Sequence, residues 1–197
     1  MKEKNYVIHP SYIIMVLVLA GVCALFFGFS MAYMYNRFQQ NVIPVELPPL
    51  FYWNTLILLT SSFTLWKAKQ CYKKDDTKGY QNTLVITLCL TIAFLVAQIF
   101  AWNQLITASI TIQSSTMASY LYLISFLHFA HVIAGIPFLC IFIYAAYMKM
   151  RSPVTVLIYF SDTSKKRKLD LLNIYWHFLD ALWIYLVLFF LINYLMK

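Results

Sequence analysis

Five apolar segments, each about as long as a membrane-crossing helix, constrain this chain more than any other feature. A hydrocarbon core of about 30 Å requires about 20 helical residues. The segments do not alternate with a period of two, which disfavours a lipid-facing β-barrel, and the chain is 62% hydrophobic but only 11% charged. We therefore predict one all-α membrane domain, residues 1–197, with five transmembrane helices near residues 12–35, 50–66, 83–106, 119–147 and 171–195.

The positive charges are distributed unevenly among the connecting segments, and this distribution predicts the orientation. Of 15 Lys and Arg residues, Lys2 and Lys4 precede the first segment, five lie between the second and third, and six lie between the fourth and fifth. Only Arg37 and Lys197 fall on the opposite side. Because cationic loops favour the cytoplasm, we expect a cytoplasmic N-terminus and an extracytoplasmic C-terminus. Anionic lipid then explains the net charge of +8, and no nucleic-acid partner is expected.

The longest connection, from Lys149 to Asp170, contains an apolar patch at residues 154–160. The patch is compatible with an interfacial segment, a short strand or a contact with a partner subunit. We favour a loop on the membrane surface, because the basic run from Lys165 to Lys168 follows directly.

Three histidines in the apolar segments are candidate haem or metal ligands. His128 and His131 are spaced i, i+3 on the fourth helix, and His177 lies on the fifth. With a rise of about 1.5 Å per residue, the predicted helix bounds place His131 and His177 about 15 Å apart along the membrane normal. One ion or haem iron does not bridge that distance. We therefore expect no metal and no cofactor in this chain, and histidines that serve in packing.

Asp180 is the single carboxylate within the predicted spans, and an acid at that depth is costly unless it has a role. His177 lies one turn away, and Trp176 and Trp183 flank the acid along the helix. A latch between helices and a proton-linked or lipid-linked role are both compatible with this cluster. A proton relay needs several ionisable groups, so the chain alone does not resemble a pump.

Four elements, in order, resemble a known family. The segment Tyr175–Trp183 resembles the Tyr-Trp-His-Phe-x-Asp-x-x-Trp signature in the last helix of subunit III of the haem-copper oxidases, which use cytochrome c or quinol. The other three elements are similar to that family's helix patterns and comprise Asn54 and Thr55 with Leu58, Ser61, Ser62 and Thr64; Phe94, Gln98 and Trp102; and Phe126, His128, His131, Val132, Ile133 and Gly135. The resemblance covers nearly the whole chain and is to the bacterial five-helix form.

The resemblance implies a subunit of a proton-pumping terminal oxidase of aerobic respiration, in the bacterial inner membrane. The family's complex reduces dioxygen to water with haem and copper held by partner subunits, and subunit III carries neither. It implies direct contact with subunit I, association with subunit II and small subunits, and bound phospholipid; a larger respiratory supercomplex is an open alternative. The implied lipid-binding or structural cluster is His128, His131, Trp176, His177, Asp180 and Trp183, and the implied helix-packing residues are Asn54, Thr55, Ser61, Ser62 and Gln98.

The chain departs from the family pattern at acidic positions. The first helix usually carries a glutamate that residues 22–28 lack, and Ala101 replaces another in the third helix. Phe126 and Phe129 replace glycines beside the paired histidines. We therefore predict that Asp180 serves as the partner of His177. Two other classes stay open at this stage, a b-type haem membrane anchor and a small transporter.

Overall fold

The computed structural model describes residues 9–150 and 152–196, which form six α-helices. Four of the cationic residues that predict the orientation lie outside the described residues: Lys2, Lys4, Arg151 and Lys197. The helices are α1 Pro10–Gln40, α2 Pro49–Lys73, α3 Thr77–Thr107, α4 Thr116–Lys149, α5 Pro153–Ser161 and α6 Thr163–Leu195. The predicted all-α fold class is confirmed.

Helix boundaries follow the local chemistry of their first residues. Proline occupies the first position of α1, α2 and α5, where its missing N–H would have no helical partner. Side-chain oxygens of Asp76, Ser115 and Asp162 accept hydrogen bonds from the first-turn N–H groups of α3, α4 and α6. Asn41 ends α1 in the left-handed region, with φ of 51°.

Four helices are long and apolar enough to cross a membrane: α1, α3, α4 and α6. They contain 31 to 34 residues, which is more than a 30 Å hydrocarbon core requires. The predicted helices 12–35, 83–106, 119–147 and 171–195 therefore lie within longer helices. Helix α2 continues to Lys73, beyond its predicted end at residue 66, and only residues 74–76 connect it to α3.

The patch at residues 154–160 is part of helix α5, so the predictions of a strand or an irregular loop there are wrong. Ser152 and Thr155 form a reciprocal capping box at the start of α5, and Pro153 occupies its first turn. Tyr159 is buried, and the Tyr72 hydroxyl donates a 3.0 Å hydrogen bond to its carbonyl oxygen. These contacts hold α5 against the end of α2.

Helices α2, α3, α4 and α6 form the body of the bundle, and α1 lies along α4 and α6. Burial differs strongly among them: 44% of the most apolar window of α6 is buried, against 17% for α1. Two buried clusters fill the bundle. One surrounds Trp183, and the other contains Tyr72, Tyr80, Tyr159 and Trp176 beside the α2–α3 turn and α5.

Candidate functional site

The indole of Trp183 is the centre of the buried cluster that we call the Trp183 core. It stacks on Phe51 of α2 with ring centroids 5.5 Å apart, and meets Phe94 of α3 edge to face at 5.2 Å. The His128 ring of α4 lies 5.0 Å away, and the indole N–H donates a 3.1 Å hydrogen bond to Thr55 Oγ1. One side chain of α6 therefore joins all four helices of the body.

His128 is fully buried within this core. Neither of its ring nitrogens has a hydrogen-bond partner among the described residues. Its ring lies between Phe94 and Trp183, with centroids 6.0 and 5.0 Å away. In this structure His128 makes the contacts of an aromatic packing residue.

A buried amide pair joins α2 to α3. Asn54 Nδ2 donates a 2.9 Å hydrogen bond to Gln98 Oε1, and both side chains have no exposed surface. Thr64 and Thr87 pair their hydroxyls at 2.8 Å two turns or more farther along the same two helices. These interhelical hydrogen bonds pair polar side chains of α2 that would otherwise lie unpaired among apolar neighbours.

His177 and Asp180 are not partners, so the predicted pair is wrong. His177 Nδ1 lies 2.6 Å from Ser62 Oγ of α2, on the exposed side of the bundle. Asp180 is only 4% exposed; it lies close to the same Ser62, but neither carboxylate oxygen has a hydrogen bond of acceptable geometry among the described residues. Residues three apart point about 60° from each other on a helix, which turns His177 outward and Asp180 inward.

The predicted axial gap of 15 Å between His131 and His177 is also wrong. The Tyr175 hydroxyl donates a 2.8 Å hydrogen bond to the His131 carbonyl, and a Cβ added at Gly135 would lie 3.0 Å from Trp176. Residue 135 of α4 is thus level with residue 176 of α6, so His131 and His177 are only about one helical turn apart in depth. The prediction failed because it took the ends of the apolar runs as the ends of the helices.

Direction, rather than depth, separates the three histidines. His128 points into the Trp183 core, the His131 ring faces Phe26 of α1 at 5.8 Å, and His177 faces Ser62 of α2. His131 Nδ1 also lies 2.6 Å from the Leu127 carbonyl oxygen, which makes that nitrogen the protonated one. Within the described ranges, no three His, Cys, Asp or Glu side chains come together in a way that could hold a metal ion.

Sequence reasoning missed the polar contacts along the rest of the seam between α2 and α6. Lys69 Nζ lies 2.7 Å from Asp170 Oδ1, so Thr55, Ser62 and Lys69, at intervals of seven residues, all contact α6. The Tyr194 hydroxyl donates to Glu46 at 2.9 Å near the opposite end. The interval of seven was a usable signal, because such positions lie on one helix face.

These observations define a class: an all-α membrane protein whose interior polar residues join helices to one another. Comparison with known proteins narrows the class to a family. The profile of the family described as "Cytochrome c oxidase subunit III" matches residues 12–195, and the chain belongs to this family.

Named relatives agree with the family match. A cytochrome c oxidase subunit 3 of Synechocystis sp. is 30% identical over 176 residues, covering 87% of this chain and 70% of the relative. That of Thermostichus vulcanus is 27% identical over 187 residues, covering 90% and 86%. That of Alkalihalophilus pseudofirmus is 30% identical over 133 residues, covering 67% and 60%.

Proposed function

We propose that this chain is the non-catalytic subunit III of a proton-pumping haem-copper oxidase in a bacterial inner membrane. In this role it stabilises the catalytic subunit and holds phospholipid, while haem and copper belong to subunits I and II and dioxygen is reduced there. The observation that carries the proposal is the family match over residues 12–195. The Trp183 core supports it, because the family's signature residues are engaged in packing four helices.

We include α2 as a fifth membrane span. Its 25 residues measure about 37 Å, which exceeds the hydrocarbon thickness. Its polar residues Asn54 and Ser61 are fully buried against neighbouring helices, so they lower its hydropathy without facing lipid. With five spans and the cationic α2–α3 and α4–α6 connections inside, we propose a cytoplasmic N-terminus.

The outward position of His177 supports the proposal that a neighbouring subunit packs against the α2–α6 seam. An imidazole paired with Ser62 at membrane depth is costly against hydrocarbon, and less costly against a polar group of another protein or a lipid. Subunit I is the partner that we propose there. The burial of His128, Trp176, Asp180 and Trp183 favours a structural role for those four over direct contact with lipid headgroups.

Co-purification tests the proposal most directly. We expect an affinity tag on this chain to bring down oxidase subunits I and II together with their haem absorption bands, and the chain expressed alone to be colourless. The complex prepared without this chain should reduce dioxygen at first and lose activity during turnover. A haem spectrum from the isolated chain, or recovery of a tagged chain without the large subunits, would contradict the proposal.

The role of Asp180 has its own test. Asp180→Asn keeps the shape of the side chain but removes the acid, and a structural latch predicts weaker assembly with subunit I and faster loss of activity during turnover. Asp75→Asn, in the exposed α2–α3 turn, is the matched control for a lost carboxylate, because asparagine tolerates the same left-handed backbone conformation. Assembly, lipid retention and durability unchanged in Asp180→Asn would show that the acid has no such role.

A further inference from the structure

The connection between α4 and α6 forms a surface that we call the elbow: the last turn of α4, all of α5 and the first turn of α6. It borders a half-open cavity of about 380 Å³. The cavity walls include Lys149, Thr155, Ile158, Tyr159 and Lys165. None of these residues belongs to the Trp183 core or to the α2–α6 seam.

Two lysines border the cavity, one from α4 and one from α6. Lys149 ends α4 and is exposed. The Lys165 ammonium lies over the Tyr159 ring, 4.1 Å from its centroid, and 3.7 Å from Asp162 Oδ2. Asp162 carries one negative charge against the two lysines, so the acid only partly offsets these cations. The cavity therefore favours an anion.

Helix α5 has an exposed apolar face, and one of its side chains, Ile158, lines the same cavity. Val154, Leu157 and Ile158, spaced i, i+3 and i+4, are 69%, 65% and 63% exposed. Tyr159 on the opposite face is 2% exposed, because it packs against Tyr72 and Tyr80. The exposed apolar face is thus held in position by a buried anchor.

The length of α4 places this face at the membrane surface. Its 34 residues measure about 51 Å, so its ends pass beyond a 30 Å hydrocarbon core into the headgroup region. A short helix there with an apolar face and neighbouring cations lies in the interface and favours anionic lipid.

We propose that the elbow is a binding site for one anionic phospholipid, with its phosphate between Lys149 and Lys165 and the start of its acyl chains against Ile158 and Leu157. Cationic and apolar side chains lie next to each other here. A phospholipid carries a phosphate for the first and acyl chains for the second in one molecule. A small inorganic anion would leave the apolar face uncovered. The site does not rest on the proposed oxidase role, since it requires only that the helices lie in a membrane.

Counting bound lipid tests the site. The full chain, purified in mild detergent with whatever partners it retains, is titrated with phosphatidylglycerol and examined by native mass spectrometry. Three forms are compared: wild type, Lys149→Gln/Lys165→Gln, and the control Lys166→Gln/Lys168→Gln. The control removes the same charge from exposed lysines outside the cavity wall. Phosphatidylcholine and inorganic phosphate serve as neutral-lipid and free-anion probes.

We expect the cavity variant to bind one phosphatidylglycerol fewer, or to bind it about 25-fold more weakly, because each cation at an anionic surface contributes about fivefold. The control variant should retain that lipid, and phosphatidylcholine and phosphate should not displace it. Equal losses in both variants, displacement by phosphate alone, or loss of a protein subunit instead of a lipid would overturn the proposal. The protein composition of the same samples reports separately on the proposed oxidase role.

Discussion

The Trp183 core and the elbow differ in which side chains they bury and which they expose. The core buries polar side chains such as Asn54, Gln98 and His128 among apolar rings. The elbow exposes the apolar side chain of Ile158 beside Lys149 and Lys165. Recognisable motif residues lie in the first region, and the exposed surface suited to a ligand lies in the second. A motif in a membrane chain can therefore mark helix packing, while binding chemistry lies in a connection without a motif.

The largest effect that this comparison predicts is on the Trp183 core. Trp183→Ala removes three ring contacts and the hydrogen bond to Thr55, so we expect it to lower the free energy of unfolding by about 3–5 kcal/mol. Titration of the purified chain from mild detergent into a denaturing detergent measures this change. Trp53→Ala is the matched control, because Trp53 is 63% exposed on α2. Similar losses for the two variants would break the distinction between core and surface.

Two glycines should respond to substitution by alanine with stability changes of opposite sign. A Cβ at Gly135 would lie 3.0 Å from Trp176 and 3.1 Å from Tyr175, so Gly135→Ala should destabilise the bundle by about 1–3 kcal/mol. Gly21→Ala on α1 meets nothing within 4 Å and should stabilise the chain by about 0.5–1 kcal/mol, because glycine is a poor helix former. The same titration measures both. Destabilisation by both would mean that α1 is packed more tightly than its low burial indicates.

The global features of the fold were predictable because they depend on apolar length alone. Long apolar runs predicted helices α1, α3, α4 and α6, since a helix is the ordinary way to satisfy backbone groups in hydrocarbon. The apolar patch of α5 was not predictable as a helix, because a seven-residue run in which Thr155 alone is not apolar carries no period that separates helix from strand or loop.

The candidate site was predictable as a set of residues but not as contacts. Its members are correctly placed on α2, α3, α4 and α6, yet Ser62 rather than Asp180 is the partner of His177. That choice depends on the rotation of α6 against α2, which tertiary packing sets. The predicted difference in depth between His131 and His177 was wrong for a similar reason. Helices α4 and α6 extend past their apolar runs, and the packing at Gly135 determines which of their residues lie at the same level.

Substitutions of the two members of the buried amide pair, Asn54 and Gln98, should change the free energy of unfolding in a non-additive way. Asn54→Ala and Gln98→Ala each leave a buried amide without its partner, whereas the double variant leaves neither. We expect a coupling energy of about 0.5–2 kcal/mol from a double-mutant cycle in the same unfolding titration. Thr60→Ala with Gln98→Ala is the control cycle, because Thr60 bonds only its own helix on the exposed side of α2. Strict additivity of the Asn54 and Gln98 variants would remove the pair as a joint between α2 and α3.

The smallest effect belongs to the elbow, where Asp162 caps α6. Burial opposes ionisation of this carboxyl, but hydrogen bonds from the N–H groups of Ser164 and Lys165 outweigh it and hold the pKa below its ordinary value. Asp162→Ala should therefore cost about 1 kcal/mol near neutral pH. Because the folded-state pKa is lowered, this stabilisation is complete above the unfolded-state pKa of about 3.9 and disappears as the pH falls through the lower folded-state value.

Unfolding titrations of wild type and Asp162→Ala at pH 7 and at pH values below 4 measure this difference. The gap between the two proteins should narrow as the medium becomes acid, because the alanine variant has no carboxylate to protonate. A gap for Asp162→Ala that is constant with pH would mean that its capping bonds do not depend on the charge. The elbow's stability would then rest on the packing of Tyr159 rather than on its electrostatics.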